Sequence, residues 1–249
     1  MKKVIKYIIL LGMLMACLGS MSLMAQEIGH SSEAISKEMT SKKEEKKVMY
    51  LTFDDGPSEY TNDLLDLLAQ HDMKVTFFLL EAEMKRNPEV VKRMVDEGHA
   101  VGVHGVSHEK GTFYSGTNGP LKEMEQANET LLSIIGEKTC LARTPYGSYP
   151  YLTKAQKQAL LNGHYVIWDW NIDSRDWSFR SPEKTFYYTT KMIDQSQNEP
   201  KVILFHDMKY VTQTMKLFLN WMEHHNYTSV AITPEVKPVN IGKQPKKSS

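Results

Sequence analysis

Seven short apolar runs, separated by amphipathic stretches, set the tightest limit on how this chain folds. They are VMYLTF (48–53), KVTFFLL (74–80), AVGVH (100–104), CLAR (140–143), YVIWDW (165–170), KVILFH (201–206) and SVAIT (229–233). Helical patterns fall between them at 61–71, 88–97, 120–135, 153–162, 181–195 and 212–225. In the first, Leu64, Leu65, Leu67 and Leu68 form one apolar stripe. Strands that are apolar on both faces, alternating with amphipathic helices, predict a parallel sheet covered by helices, hence a barrel or a doubly wound sheet. Hydrophobic content of 41% and charged content of 24% fit a globular domain. The zero net charge and the lack of a basic block beside aromatics speak against a nucleic-acid partner. Cys17 and Cys140 are too few for a disulfide framework, and Cys140 reads as a small buried side chain.

The ends of the chain read differently from its middle. Residues 1–25 begin with Lys2, Lys3 and Lys6 and continue without charge from Tyr7 to Ala25, the pattern of an export signal or an uncleaved membrane anchor. The LMAC stretch ending at Cys17 also offers a lipid attachment point. Residues 26–47 are rich in Ser, Lys and Glu and read as a flexible linker. Residues 48–234 form the expected catalytic domain, and 235–249 the expected disordered tail. The protein is expected to work outside the cytoplasm, anchored at the membrane or secreted into the cell wall, as a monomer.

Chemistry-bearing residues gather just after the strands. Asp54 and Asp55 follow the first run, His104 and His108 the third, Arg143 the fourth, Asp173 and Asp176 the fifth, and His206 and Asp207 the sixth. Parallel strands of an α/β array end on one face, where sites are built. Adjacent carboxylates raise each other's pKa unless a cation intervenes. Two imidazoles from HGVSH with either Asp54 or Asp55 make a catalytic metal set, and the other carboxylate is then free to act as general base. His206 is a candidate acid, kept protonated by Asp176 or Asp173, while Arg143 orients the free carboxylate. Amides in the turn after RTPY are candidate oxyanion donors. Trp168, Trp170 and Leu204 read as packing, Asp173 as a loop cap, and Asp207 as either support for the site or a helix cap.

The segments TFDDGPS (52–58), HGVSH (104–108), RTPYG (143–147), DSRDW (173–177) and ILFHD (203–207) resemble, in order and spacing, the five motifs of the polysaccharide deacetylase family, carbohydrate esterase family 4. The resemblance spans residues 48–233. It implies a distorted (β/α)7 barrel forming a single catalytic domain and a divalent metal, zinc or alternatively cobalt. The implied reaction is hydrolysis of an N-acetyl group from an N-acetylated sugar polymer, or more rarely of an O-acetyl group from xylan; the expected placement at the membrane favours an N-acetylglucosamine polymer of the wall, peptidoglycan. By the same resemblance Asp54 is the base, and Asp55, His104 and His108 hold the metal. Arg143 holds the base, the Tyr146 amide binds the oxyanion, Asp176 tunes the acid His206, and Trp177 and Leu204 line the acetyl pocket. Where the family commonly carries Ser or Thr after the first metal histidine, this chain has Gly105, so a loop-fixing hydroxyl is missing. Chitin-type oligosaccharides, O-acetylated xylan and a non-catalytic glycan-binding role are the alternatives.

Overall fold

The computed structural model describes residues 45–241; the apolar segment 1–25, most of the expected linker and residues 242–249 lie outside the described residues. At its centre is β1 (Lys47–Asp54), whose alternation divides two environments. Met49, Leu51 and Phe53 point to the helices and are fully buried. Thr52 and Asp54, on the opposite face, are buried as well, which makes β1 a strand covered on both sides.

All strand pairs are parallel, in the order β5 (Val166–Ile167), β4 (Leu141–Ala142), β3 (Ala100–Val103), β2 (Thr76–Leu79), β1, β7 (Lys201–His206) and β6 (Ile172–Asp173). A further strand, β8 (Tyr227–Ser229), pairs with the start of β1. Register places Asp54 opposite both Phe78 and His206, so the first and last motif-bearing strands end level with one another. The sheet curls into the expected barrel-like array, with its helices packed outside.

The outer layer is ordinary hydrophobic packing. Phe53 stacks on Phe77 and Phe205 at 5.5 and 5.7 Å between ring centroids. Each ring of this kind contributes about 1.5–3 kcal/mol by leaving water. Helices α1 (Thr61–Gln70), α2 (Glu81–Arg86), α3 (Pro88–Asp96), α4 (Lys110–Phe113), α5 (Gly119–Ile135), α6 (Lys154–Asn162), α7 (Asp176–Phe179), α8 (Pro182–Gln195) and α9 (Val211–His224) follow in chain order. The apolar stripe of α1 is buried as its spacing predicts, and Met215, Phe218, Leu219 and Met222 of α9 join the same core. A Thr153–Gln156 capping box starts α6, and left-handed Gly136 (φ 81°) ends α5.

The expected strands over 140–143 and 165–170 shrink to two residues each, for a specific reason. Trp168 N still donates to Ala142 O, but the carbonyls of Trp168 and Asp169 accept from the Arg143 guanidinium and the Asp169 N–H donates to Val239 O, so the ladder of β5 goes no further. The edges β5 and β6 stay unpaired with each other, and residues 239–241 run along the β5 side of the opening, with a cavity of about 280 Å³ between them and Asn171 and Asp173. Asn240 Nδ2 donates to Ile167 O at 2.8 Å and Ile241 N to Asp169 Oδ2 at 2.9 Å, while Val236 and Val239 pack on the inner cluster around Phe78 and Trp168. Residues 235–241 of the expected tail are thus built into the domain. The last strand forms at 227–229 rather than 229–233, because Ile232 N turns to the Thr76 hydroxyl. Among the described residues no helix is long and apolar enough to cross a membrane.

Candidate active site

The strand ends meet in one pocket of about 430 Å³, lined by Asp54, Asp55, His104, His108, Lys110, Tyr146, Tyr151, Trp170, Asp173, Trp177, Leu204, His206 and Met208. Arg143 and Asp176 lie behind this wall, each bonded to a residue that forms it.

The two carboxylates that end β1 have separate surroundings. Asp54 Oδ1 accepts from Arg143 Nη1 at 2.8 Å. Burial pushes its carboxyl above the usual carboxylate range, against the pull of Arg143 and His206. Asp55 turns away with φ 77°, a left-handed conformation uncommon for a non-glycine residue but one that Asp tolerates better than most. Gly56 follows because no side chain fits there: a Cβ would lie 2.3 Å from Asp207 Oδ2. Asp207 in turn accepts from the Ser58 amide and hydroxyl and from the Thr61 hydroxyl, so it supports the DDGPS turn.

Asp55 Oδ1 lies 3.5 Å from His104 Nε2 and 3.5 Å from His108 Nε2. His104 Nδ1 sits 2.7 Å from the Arg143 carbonyl, which only accepts, so Nδ1 carries the proton and Nε2 presents a lone pair. Burial holds this imidazole neutral, with its pKa lowered to about 3 despite Asp55. Asp55 Oδ1 is buried and accepts no hydrogen bond among the described residues. Lone pairs converging on a buried, unpartnered oxygen fit a cation, and the two-histidine, one-carboxylate donor set is that of a catalytic metal site with open positions.

The missing hydroxyl at Gly105 is replaced from elsewhere. Glu123 of α5 accepts from the Val106 and Ser107 amides, both at 3.0 Å, and from the Ser107 hydroxyl at 2.6 Å. Glycine is needed at 105 because φ is 95° and a Cβ would stand 2.9 Å from Phe113.

Arg143 is fully buried yet satisfied. Its guanidinium donates to Trp168 O, Thr52 Oγ1, Asp54 Oδ1 and Asp169 O, and lies 4.2 Å from the centroid of the Phe78 ring. In the turn after it, Tyr146 has φ 65° and its N–H makes no hydrogen bond among the described residues, leaving a donor available beside the cluster. Asp169 fixes this turn, accepting from Ser148 N at 2.7 Å and Ser148 Oγ at 2.5 Å.

His206 is held by Asp176, not Asp173. Asp176 Oδ1 lies 2.8 Å from His206 Nδ1 and its Oδ2 accepts from the His206 backbone N–H at 2.6 Å. Burial alone would lower the imidazole pKa, but the Asp176 hydrogen bond and charge, joined by Asp54 and Asp55, raise it to about 9. Asp173 accepts from the Arg175 N–H as a loop cap and also faces the pocket.

All ten expected site residues come together, and several others join them. Trp168 is core, but Trp170 lines the pocket; Leu204 is both buried and pocket-lining. Lys110, Tyr151, Met208, Glu123 and Asp169 carry no motif signal, because each reaches the site through a loop or helix whose approach only the fold reveals.

A polysaccharide deacetylase family model matches residues 41–164. YheN of Bacillus subtilis, whose name places it among polysaccharide deacetylases, is 42% identical over 201 residues, covering 78% of this chain and 70% of YheN. A peptidoglycan-N-acetylglucosamine deacetylase of Bacillus cereus is 40% identical over 168 residues, which is 66% of this chain but 61% of that relative. The crystal structure of a polysaccharide deacetylase from Bacillus cereus superposes with a TM-score of 0.72 at 36% identity, covering 78% of this chain and 97% of that one.

Proposed function

Because this chain belongs to the polysaccharide deacetylase family, we propose that it is a metal-dependent hydrolase removing N-acetyl groups from the N-acetylglucosamine residues of peptidoglycan outside the cytoplasm. The observation that carries the reading is the division of labour at the end of β1: Asp54 faces Arg143, and Asp55 faces two imidazoles with an unpartnered oxygen. The name of the Bacillus cereus relative supports the substrate.

Asp55, His104 and His108 would hold the cation, zinc by preference for two imidazoles and one carboxylate, and when bound it would polarise the acetyl carbonyl and acidify a water. Asp54 takes the proton of the attacking water, and its raised pKa makes it the stronger base. Arg143 keeps that carboxylate aimed. The Tyr146 N–H donates to the oxygen on which negative charge develops. His206, charged at neutral pH, gives its proton to the sugar nitrogen as the C–N bond breaks, leaving acetate and a free amine. Trp177 and Leu204 bound the space for the acetyl methyl.

The test is acetate release from peptidoglycan, N-acetylglucosamine oligomers and acetylated xylan, after chelation and after adding back zinc or cobalt. Metal-dependent release, fastest on peptidoglycan, is expected. Preference for xylan would replace an amide substrate with an ester, and no release from any would leave only glycan binding.

A further inference from the structure

Lys110 opens α4, two residues after the second histidine of HGVSH. Its ammonium stands 4.5 Å from the Tyr146 ring centroid and 4.2 Å from that of Tyr151, and donates to the Tyr151 hydroxyl at 2.9 Å. The panel is itself fixed: Tyr146 Oη donates to His108 O at 2.8 Å and Tyr114 Oη to Pro145 O at 2.7 Å. A long, flexible side chain is therefore placed before any ligand arrives, which lowers the entropy lost on binding. Tyr151 uses one of its three donors, and among the described residues no carboxylate pairs with it. Among the described residues lining the pocket it is the sole lysine or arginine. Beside it, Tyr146, Tyr151 and Trp177 leave 42%, 38% and 50% of their surface exposed, faces on which sugar rings stack.

We propose that Lys110 recognises a carboxylate on the sugar next to the one being deacetylated, so that the site selects an anionic N-acetylated glycan over a neutral one. The inference rests on the deacetylase reading above and narrows its substrate. In a glycan of the peptidoglycan type, alternate sugars bear such a group, either as a free 3-O-lactyl carboxylate or on the peptide attached there. Chitin-type oligomers bear none. A preplaced ammonium with unused donors matches a carboxylate and gains nothing from a hydroxyl that water would not equally supply.

The experiment compares wild type, Lys110→Met and Lys110→Arg on four glycans: N-acetylglucosamine oligomers, peptide-bearing strands, peptide-stripped strands, and stripped strands with their carboxylates amidated. Acetate release gives kcat/KM, and tryptophan fluorescence titration in the Asp54→Asn background gives Kd independently of turnover. The expected result is a fall of about tenfold in the ratio of anionic to neutral kcat/KM for Lys110→Met, largely restored in Lys110→Arg. Amidated strands should behave as neutral ones, and the two charged arms tell lactyl from peptide carboxylate. A parallel loss on every glycan, or a wild type indifferent to amidation, overturns the proposal. If wild type releases no acetate from any glycan, the deacetylase reading fails on its own, and the titration still decides Lys110: charge-dependent binding lost in Lys110→Met upholds it, and equal binding removes it.

Discussion

His104 and His206 end strands on either side of the central pair of carboxylates, both largely buried, and their protons are governed in opposite directions. His104 is pushed down to about 3 and His206 up to about 9. Burial acts the same way on both, against the charged form. The difference lies at the far nitrogen: His104 Nδ1 meets a neutral backbone carbonyl, His206 Nδ1 a carboxylate. One partner leaves a lone pair facing Asp55 and His108; the other keeps a proton on the ring. The same residue type thus presents a lone pair or a proton according to what stands behind it, the contrast on which the proposed ligand and acid roles rest.

Asp54 lies between the two, 3.8 Å from His104 Nε2 and in register with His206. Asp54→Asn should lower acetate release by about 10³–10⁴-fold, near the upper range for a general base, with metal still bound by elemental analysis. A near-normal rate would move the base role elsewhere.

Glu123→Ala attacks the ligand side without touching a ligand. Freeing the Val106 and Ser107 amides should weaken metal affinity about 10–100-fold, read by competition with a chelating dye. An unchanged affinity would mean that backbone conformation alone holds the loop.

Asp176→Asn attacks the acid side and should erase the contrast between the two histidines. A raised pKa keeps the His206 proton on the enzyme until the pH climbs through about 9, so wild-type activity should fall above that value. The variant should lose activity from nearer pH 6.5, with about thirtyfold less left at pH 8. A limb that stays near 9 would separate His206 from the alkaline transition.

Gly105→Ser gives the smallest effect and the sharpest comparison with the family pattern. It supplies the usual hydroxyl, but a left-handed backbone and Phe113 oppose it, so thermal unfolding should show a loss of about 1–3 kcal/mol and metal titration no gain. Tighter metal binding would show that Glu123 substitutes only partly for the hydroxyl.

The sequence displays what strand ends display: a carboxylate pair, spaced histidines and a buried arginine each follow an apolar run, so their convergence is legible from the parallel alternation alone. Glu123 is not, because it lies sixteen residues or more from the amides it binds, and nothing in α5 distinguishes it from other helical acids. Trp170 sits two residues beyond Trp168 and reads alike, yet only Trp170 turns to the pocket, because the ladder ends after the Trp168 N–H and the next carbonyls go to Arg143. Short polar helices such as α4 and α7 carry too little periodicity to announce themselves.

The opening between β5 and β6 gives the barrel a calendar as well as a shape. Residues 239–241 line its β5 edge and, through Asp169, brace the turn that carries Tyr146, yet a chain made from its N-terminus acquires them only after every described strand has emerged. A nascent or clipped chain ending before residue 236 is expected to own its carboxylates and histidines while the RTPYG turn stays open to protease. Protection of that turn against limited proteolysis, gained on extending the chain from 235 to 241, would date the site's completion to its final segment.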